Sequence, residues 1–169
     1  LRPTPGCCAR AYTECVTPGT RSQQRIGAAC PRHARRDRSM LGPSPPRTYF
    51  VEDSPTLREN LIATLEELGG ATSVGFAETE QEASQWLTEH AAQWDLAIVD
   101  VFLKRGSGLG VLQACRARGP RQKLVVFTSY ATPAMRKRCQ ELGVDAVFDK
   151  SIEVDALIDF CLELARGTH

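Results

Sequence analysis

The chain has 169 residues, with 21 Lys and Arg set against 20 Asp and Glu for a formal net charge of +1. That length suits one compact domain plus a tail and excludes a large multidomain enzyme. A content of 42% hydrophobic and 24% charged residues also excludes a chain that is disordered throughout or embedded in a membrane.

The charge is unevenly placed. Residues 1–39 hold eight Arg and two acids, a net +6, and the remainder holds 13 basic and 18 acidic residues, a net −5. Four of the seven cysteines fall in the first part, and residues 1–46 hold seven of the ten prolines. Apolar residues there keep neither a strand nor a helix period, so residues 1–46 are expected to form a disordered, basic, Pro- and Arg-rich segment. Met40 is a candidate natural start with Leu1–Ser39 as upstream sequence; the other reading is a basic targeting or interaction arm whose guanidinium groups pair with phosphates. Cys7, Cys8, Cys15, Cys30 and His33 make no paired CxxC spacing, which leaves a metal site without a pattern. No apolar run has the character of a secretory signal or a membrane span, and a cytoplasmic location is expected.

From Arg47 onward short apolar runs alternate with helical stretches. Thr48-Tyr49-Phe50-Val51 reads as a strand ending at Glu52-Asp53, and Ser54-Pro55 supplies a helix cap and a first-turn proline. Leu57, Leu61, Leu65 and Leu68 predict one apolar helical stripe, stopped by Gly69-Gly70. Ala71 to Phe76 is a second strand candidate, and Glu80 to His90 a helix burying Ala83, Trp86 and Leu87. Leu96-Ala97-Ile98-Val99 lacks alternation, as a strand buried on both faces should, and ends at Asp100. Gly106 and Gly108 mark a loop, Leu109 to Arg118 a helix, and Leu124 to Phe127 a fourth strand ending at Thr128-Ser129. Pro133 to Leu142 is a helix with Met135, Cys139 and Leu142 inward. Ala146-Val147-Phe148 is a short strand ending near Lys150, and Ile152 to Arg166 closes the domain as a helix with Val154, Leu157, Ile158 and Cys161 inward. Trp86, Trp94, Cys115, Cys139 and Cys161 are expected to be packing residues.

Five strands alternating with five helices imply right-handed crossovers and an α/β, doubly wound parallel sheet with helices on both faces, in which ligands sit beyond the carboxyl ends of the strands. Those ends carry Glu52 and Asp53, Asp100, Thr128 and Lys150. Three carboxylates in one cleft repel each other by roughly 3 to 4 kcal/mol per pair at about 4 to 5 Å with an effective dielectric near 20. Lys150 can neutralise one, and a hard divalent cation, Mg²⁺, is the natural complement to the others. Such a site suits a phosphoryl group shared between the cation, the Lys150 ammonium and the Thr128 hydroxyl, with one carboxylate attacking phosphorus. Asp100, short and following the central buried strand, is assigned as the phosphoacceptor, and the adjacent pair Glu52-Asp53 as metal ligands.

Over about residues 47 to 166 the sequence resembles the receiver domains of bacterial two-component response regulators. The likeness is carried by Val51-Glu52-Asp53-Ser54, Val99-Asp100 followed by Gly106-x-Gly108-Leu109, Thr128-Ser129, and Gly143-Val144-Asp145-Ala146 ahead of Lys150. The resemblance implies a flavodoxin-like strand order of 2-1-3-4-5 and phosphotransfer to Asp100 from a phosphohistidine of a sensor histidine kinase or a histidine phosphotransfer protein. It further implies Mg²⁺ held by Glu52, Asp53, Asp100 and the backbone carbonyl of Phe102, with Thr128 and Lys150 sensing the phosphoryl oxygens. Two positions depart from the family pattern: Ser151 follows Lys150 where a cis-proline is usual, and Val147 stands where the family places a switch aromatic.

A phosphatase or phosphotransferase with an Asp-x-Asp motif is a rival on a similar sheet, but its second acid is Phe102 here, and the general acid that would speed hydrolysis is missing. The expected activity is therefore not that of a conventional enzyme but of a domain that promotes its own phosphorylation and loses the group slowly, with Phe102 and Tyr130 crowding the attacking water. Only Gly167-Thr168-His169 follow the last helix, which suggests a stand-alone receiver without a DNA-binding output domain, acting on a protein target or within a relay. A homodimer through the last helices is compatible with that role. The alternative is a pseudo-receiver, a binding module that works without phosphorylation.

Overall fold

The computed structural model describes residues 44–167, and the expectations about the basic segment, its cysteines and Met40 lie outside the described residues. Ten main elements follow one another: β1 (Arg47–Val51), α1 (Pro55–Glu67), β2 (Thr72–Ala77), α2 (Glu80–Glu89), β3 (Leu96–Val99), α3 (Gly108–Ala114), β4 (Lys123–Thr128), α4 (Pro133–Glu141), β5 (Ala146–Asp149) and α5 (Val154–Arg166). The strands form one parallel sheet in the order β2-β1-β3-β4-β5, as the resemblance implied.

The lack of alternation in the central strands has the expected cause, burial on both faces. On one side Tyr49, Val51, Ala97, Val99, Leu124 and Val126 pack against Leu87, Val111, Leu112 and Cys139 from α2, α3 and α4. On the other, Phe50, Leu96, Ile98, Val125 and Phe127 meet Leu65, Leu157 and Cys161 from α1 and α5. Trp94 is buried and donates its indole N–H to the Leu87 carbonyl, so it is a packing residue. Trp86 is stacked between Tyr49 and His90, with centroids 4.2 and 4.8 Å away.

Local signals act as read in part: Ser54 takes the N-cap position of α1, but its side chain makes no capping hydrogen bond, and further corrections fall at the ends of elements. Pro55 opens α1 and Thr132 caps α4, its hydroxyl accepting the Met135 N–H. The leucine stripe of α1 is narrower than its spacing predicts: Leu65 is fully buried, whereas Leu57 and Leu68 are more than half exposed. The buried face is rotated toward Arg58, Leu61, Ile62 and Leu65. Ile152 is 82% exposed and lies outside α5, because the Asp149 carbonyl accepts N–H groups of Ile152 and Glu153 in a turn that precedes the helix. Helix α3 ends at Ala114 and continues as a 3-10 turn at Cys115–Ala117, shorter than the span to Arg118. A bulge shifts the β1–β2 register at Thr48/Tyr49, where Gly75, with φ +153°, lies under the Tyr49 ring; a Cβ there would come within 3.0 Å of it.

Replacing Leu65 by Ala is expected to lower unfolding stability in urea by about 3 to 4 kcal/mol through the cavity it leaves, whereas Leu57→Ala should cost less than about 1 kcal/mol. Equal losses would overturn the assignment of the buried face of α1.

Candidate functional site

The parallel register brings the ends of β1, β3, β4 and β5 to one rim. The Asp100 N–H donates to the Val51 carbonyl at 2.9 Å, and the Lys150 N–H to the Thr128 carbonyl at 3.0 Å, so ladder bonds continue one step beyond the strands and fix where each side chain starts. Lys150 then crosses the rim. Its ammonium donates to Asp100 Oδ2 at 2.7 Å and to Glu52 Oε2 at 2.5 Å, and all three side chains are nearly buried. Burial alone would lower the Lys150 pKa, but the hydrogen bonds and charges of Asp100 and Glu52 outweigh it and hold the pKa above the usual lysine value. The ammonium therefore stays charged and offsets part of the repulsion between the two carboxylates.

Three further carboxylate oxygens are anchored by main-chain N–H groups. Asp100 Oδ1 accepts the Phe102 N–H at 3.2 Å, and Glu52 Oε1 the Ser54 N–H at 3.1 Å. Asp53 Oδ2 accepts the Lys104 N–H at 2.8 Å, with the Lys104 ammonium 3.9 Å away. Thr128 is fully buried at the end of β4, and its hydroxyl has no hydrogen-bond partner among the described residues. An unpaired buried hydroxyl costs roughly 1 to 3 kcal/mol, so it marks a place where an acceptor outside the folded chain can bind.

Sequence reasoning missed Arg58. Its side chain is 7% exposed, donates to the Glu52 carbonyl at 3.1 Å and to Glu78 Oε1 at 2.8 Å, and lies 3.9 Å over the Phe76 ring. It thus fixes the main chain between Glu52 and Asp53. A basic residue one place after Leu57 was a weak signal, since the leucine spacing pointed to the neighbouring face.

The donor chemistry fits Mg²⁺. Glu52, Asp53 and Asp100 with the Phe102 carbonyl offer hard oxygens, and three carboxylates outnumber the nearly buried Lys150 ammonium and the surface Lys104 ammonium, which favours a cation. Among the described residues no three His, Cys, Asp or Glu side chains close around one point; Lys150 sits between Glu52 and Asp100, and Lys104 engages Asp53.

The two departures have structural counterparts. No cis peptide bond occurs among the described residues, and the turn after Lys150 is held by Asp149 Oδ1, which accepts the Ser151 N–H at 2.8 Å. At β5 the Arg136 guanidinium reaches the Val147 carbonyl at 2.5 Å, the Ala131 carbonyl at 3.1 Å and Glu153 Oε2 at 2.6 Å. The same Glu153 oxygen accepts the Asp149 N–H at 2.6 Å, and the Arg136 bond followed by this one holds the carboxyl below its usual pKa. Phe148 packs on the opposite layer, edge-on to Phe160.

The sequence pattern described as the response regulator receiver domain matches residues 49–161, and the chain belongs to that family, whose members are phosphorylation-accepting modules of two-component systems. It is 31% identical over 108 residues to a cyclic di-GMP phosphodiesterase of Thermotoga maritima, covering 64% of this chain and 28% of that protein. It is 27% identical over 131 residues to the photosynthetic apparatus regulatory protein RegA of Rhodobacter capsulatus, covering 78% and 64%. The chain therefore spans less than two thirds of the length of either relative. The signal receiver domain of NarL from Mycobacterium tuberculosis superposes with a TM-score of 0.64 at 22% identity, over 74% of this chain and 99% of that one. The response regulator domain of Thermotoga maritima CheB gives 0.59 at 20%, over 72% and 93%. At those identities the likeness concerns the fold. Among the described residues no helix is long and apolar enough to cross a membrane.

The orphaned hydroxyl predicts that Thr128→Val, which keeps the shape and removes the unpaired group, raises stability in urea by about 1 kcal/mol. An unchanged or lower value would show that the hydroxyl is satisfied in solution.

Proposed function

We propose that Asp100 accepts a phosphoryl group from a phosphohistidine of a sensor histidine kinase or a histidine phosphotransfer protein, in a reaction that depends on Mg²⁺. The observation that carries this reading is the pairing of a nearly buried Asp100–Lys150–Glu52 cluster with an unsatisfied Thr128 hydroxyl at the same sheet edge. An Asp100 oxygen attacks phosphorus, the new P–O bond forms as the P–N bond breaks, and the departing imidazole nitrogen takes up a proton. Lys150 and Thr128 are the donors for the phosphoryl oxygens, which would give the hydroxyl its missing partner. Glu52, Asp53, Asp100 and the Phe102 carbonyl are the residues to hold Mg²⁺, which supplies charge neutralisation to the oxygens in flight when bound.

Signalling then proceeds by contact with a protein target or by passing the group on within a relay. The added phosphoryl oxygens give the buried Thr128 hydroxyl a partner, and the loop that follows β4 is tied through Ala131 to Arg136 and from there to β5 and Glu153. A face made of α4, β5 and α5 is thereby coupled to the site, and self-association through it fits the same device. The rings of Phe102 and Tyr130, both more than half exposed with centroids 5.2 Å apart, flank the site and restrict the approach of water.

With acetyl phosphate and Mg²⁺ the full chain should acquire one phosphoryl group labile to base and hydroxylamine, seen as a retarded band on a phosphate-affinity gel, and Asp100→Ala should acquire none. A parent chain that stays unmodified and also binds no beryllofluoride would favour the phosphorylation-independent binding module, for which the Val147 departure speaks. Once labelled, Phe102→Asn should lose its phosphoryl group several-fold faster than the parent, on the order of threefold or more; equal decay rates would dispose of the crowding by the aromatic pair.

A further inference from the structure

We infer that Glu80, on α2 and remote from the reacting atoms, is a positioning residue for the phosphoacceptor, an inference that rests on the reading of Asp100 given above. Glu80 opens α2, and its main-chain N–H donates to the Arg105 carbonyl at 3.2 Å beside a parallel bridge between Thr79 and Arg105. Its side chain reaches further. Glu80 Oε2 accepts the Ser107 N–H at 2.7 Å, tying residues 27 apart in sequence and fastening the loop that joins β3 to α3.

One glycine of that loop and one in the first turn of α3 lie against this carboxylate. A Cβ on Gly106, whose φ is +82°, would stand 2.4 Å from Glu80 Cβ and 2.5 Å from its Oε2; one on Gly110 would stand 1.9 Å from Oε1. Gly108 answers to a different neighbour, since a Cβ there would meet the Asp100 carbonyl oxygen at 2.0 Å. A carboxylate that merely favoured the amino end of α2 would need no glycine at 110, where the backbone is helical, and Glu82 already supplies a first-turn acid.

From Ser107 the restraint passes to the site in two short steps. Ser107 forms an antiparallel bridge with Phe102, and the Gly108 N–H and Ser107 hydroxyl both donate to the Val101 carbonyl, at 2.9 and 3.4 Å. Phe102 in turn donates its N–H to Asp100 Oδ1 and carries the carbonyl proposed for the cation. Releasing the Glu80–Ser107 bond frees the return strand of this loop, and with it the peptide that orients Asp100.

The test compares the parent with Glu80→Ala, Glu80→Gln, Gly110→Ala and the double variant Glu80→Ala/Gly110→Ala. The rate of phosphorylation by acetyl phosphate with Mg²⁺ is followed on phosphate-affinity gels, and urea unfolding is measured in parallel. Glu80→Ala should slow phosphorylation about tenfold, the scale of a small misplacement of reacting groups. Glu80→Gln keeps an amide oxygen for the Ser107 N–H and should recover most of the rate. Gly110→Ala should be slow alone yet cause no further loss in the Glu80→Ala background, where the atoms it strikes are gone. Parental rates in Glu80→Ala, a lower urea midpoint with an unchanged rate, or fully additive losses in the double variant would each overturn the role of Glu80. A parent chain that takes no phosphoryl group would instead overturn the reading of Asp100 itself, and the positioning role with it.

Discussion

The sheet edge is governed by the repulsion of carboxylates that the fold forces together. A parallel sheet delivers Glu52, Asp53 and Asp100 to one rim because residues that follow neighbouring strands in register have nowhere else to go. Lys150 resolves part of the conflict by donating to both Glu52 and Asp100 from the far end of the sheet, across β4. Its reach depends on β5 ending where it does, with the Lys150 N–H bonded to the Thr128 carbonyl. The same bond sets the Lys150 backbone beside that of Thr128, so the ammonium and the orphaned hydroxyl belong to adjacent strand ends. Asp53 is left to a more exposed neighbour, Lys104, whose ammonium at 3.9 Å on the surface contributes little.

Around that rim the chain uses local anchors in place of a rigid second layer. Arg58 fixes the main chain after β1, Glu80 fixes the return of the β3–α3 loop, and Arg136 with Glu153 ties the loop after β4 to β5 and to the turn that follows it. All three join residues distant in sequence by charge-assisted hydrogen bonds, which are stronger and more directional than neutral ones. The last has particular weight, because Val147 offers no aromatic ring to move between two positions. A guanidinium that binds the Ala131 and Val147 carbonyls and Glu153 at once gives the β4–α4 loop another mechanical link to β5 and α5.

How far the sequence could be read depended on the kind of interaction. The five-strand alternation and the strand-end acids were legible because hydrophobic burial imposes a period and strand termination imposes a position, both visible in a linear string. Leu57 and Arg58 were not separable in that way: either could lie inward, and the choice fell to Arg58 because the Glu52 carbonyl, Glu78 and the Phe76 ring supply partners that only the fold assembles. Ile152 failed for a related reason, an apolar residue placed in a turn by hydrogen bonds to Asp149. The bulge at Gly75 depends on the ring of Tyr49 across the sheet, and the glycines at 106 and 110 depend on a carboxylate from another helix. Each glycine is unremarkable by itself.

The contrast between Thr128 and the carboxylates separates what folding needs from what the site needs. Glu52 and Asp100 have partners for their charge within the chain, so their burial is compatible with a stable fold. The Thr128 hydroxyl has none among the described residues, and nothing in the packing requires oxygen there, since valine would fill the same space. Likewise, the Lys150 ammonium and the exposed Lys104 ammonium together leave the three-carboxylate rim electrostatically incomplete. An incoming group that is itself an oxygen-rich anion can satisfy the hydroxyl, but it adds charge to the rim and therefore needs a cation beside it. The unpaired hydroxyl and the surplus of negative charge thus ask for a ligand and a counter-ion together, which is the physical ground for proposing phosphoryl transfer with a metal over a simple anion pocket.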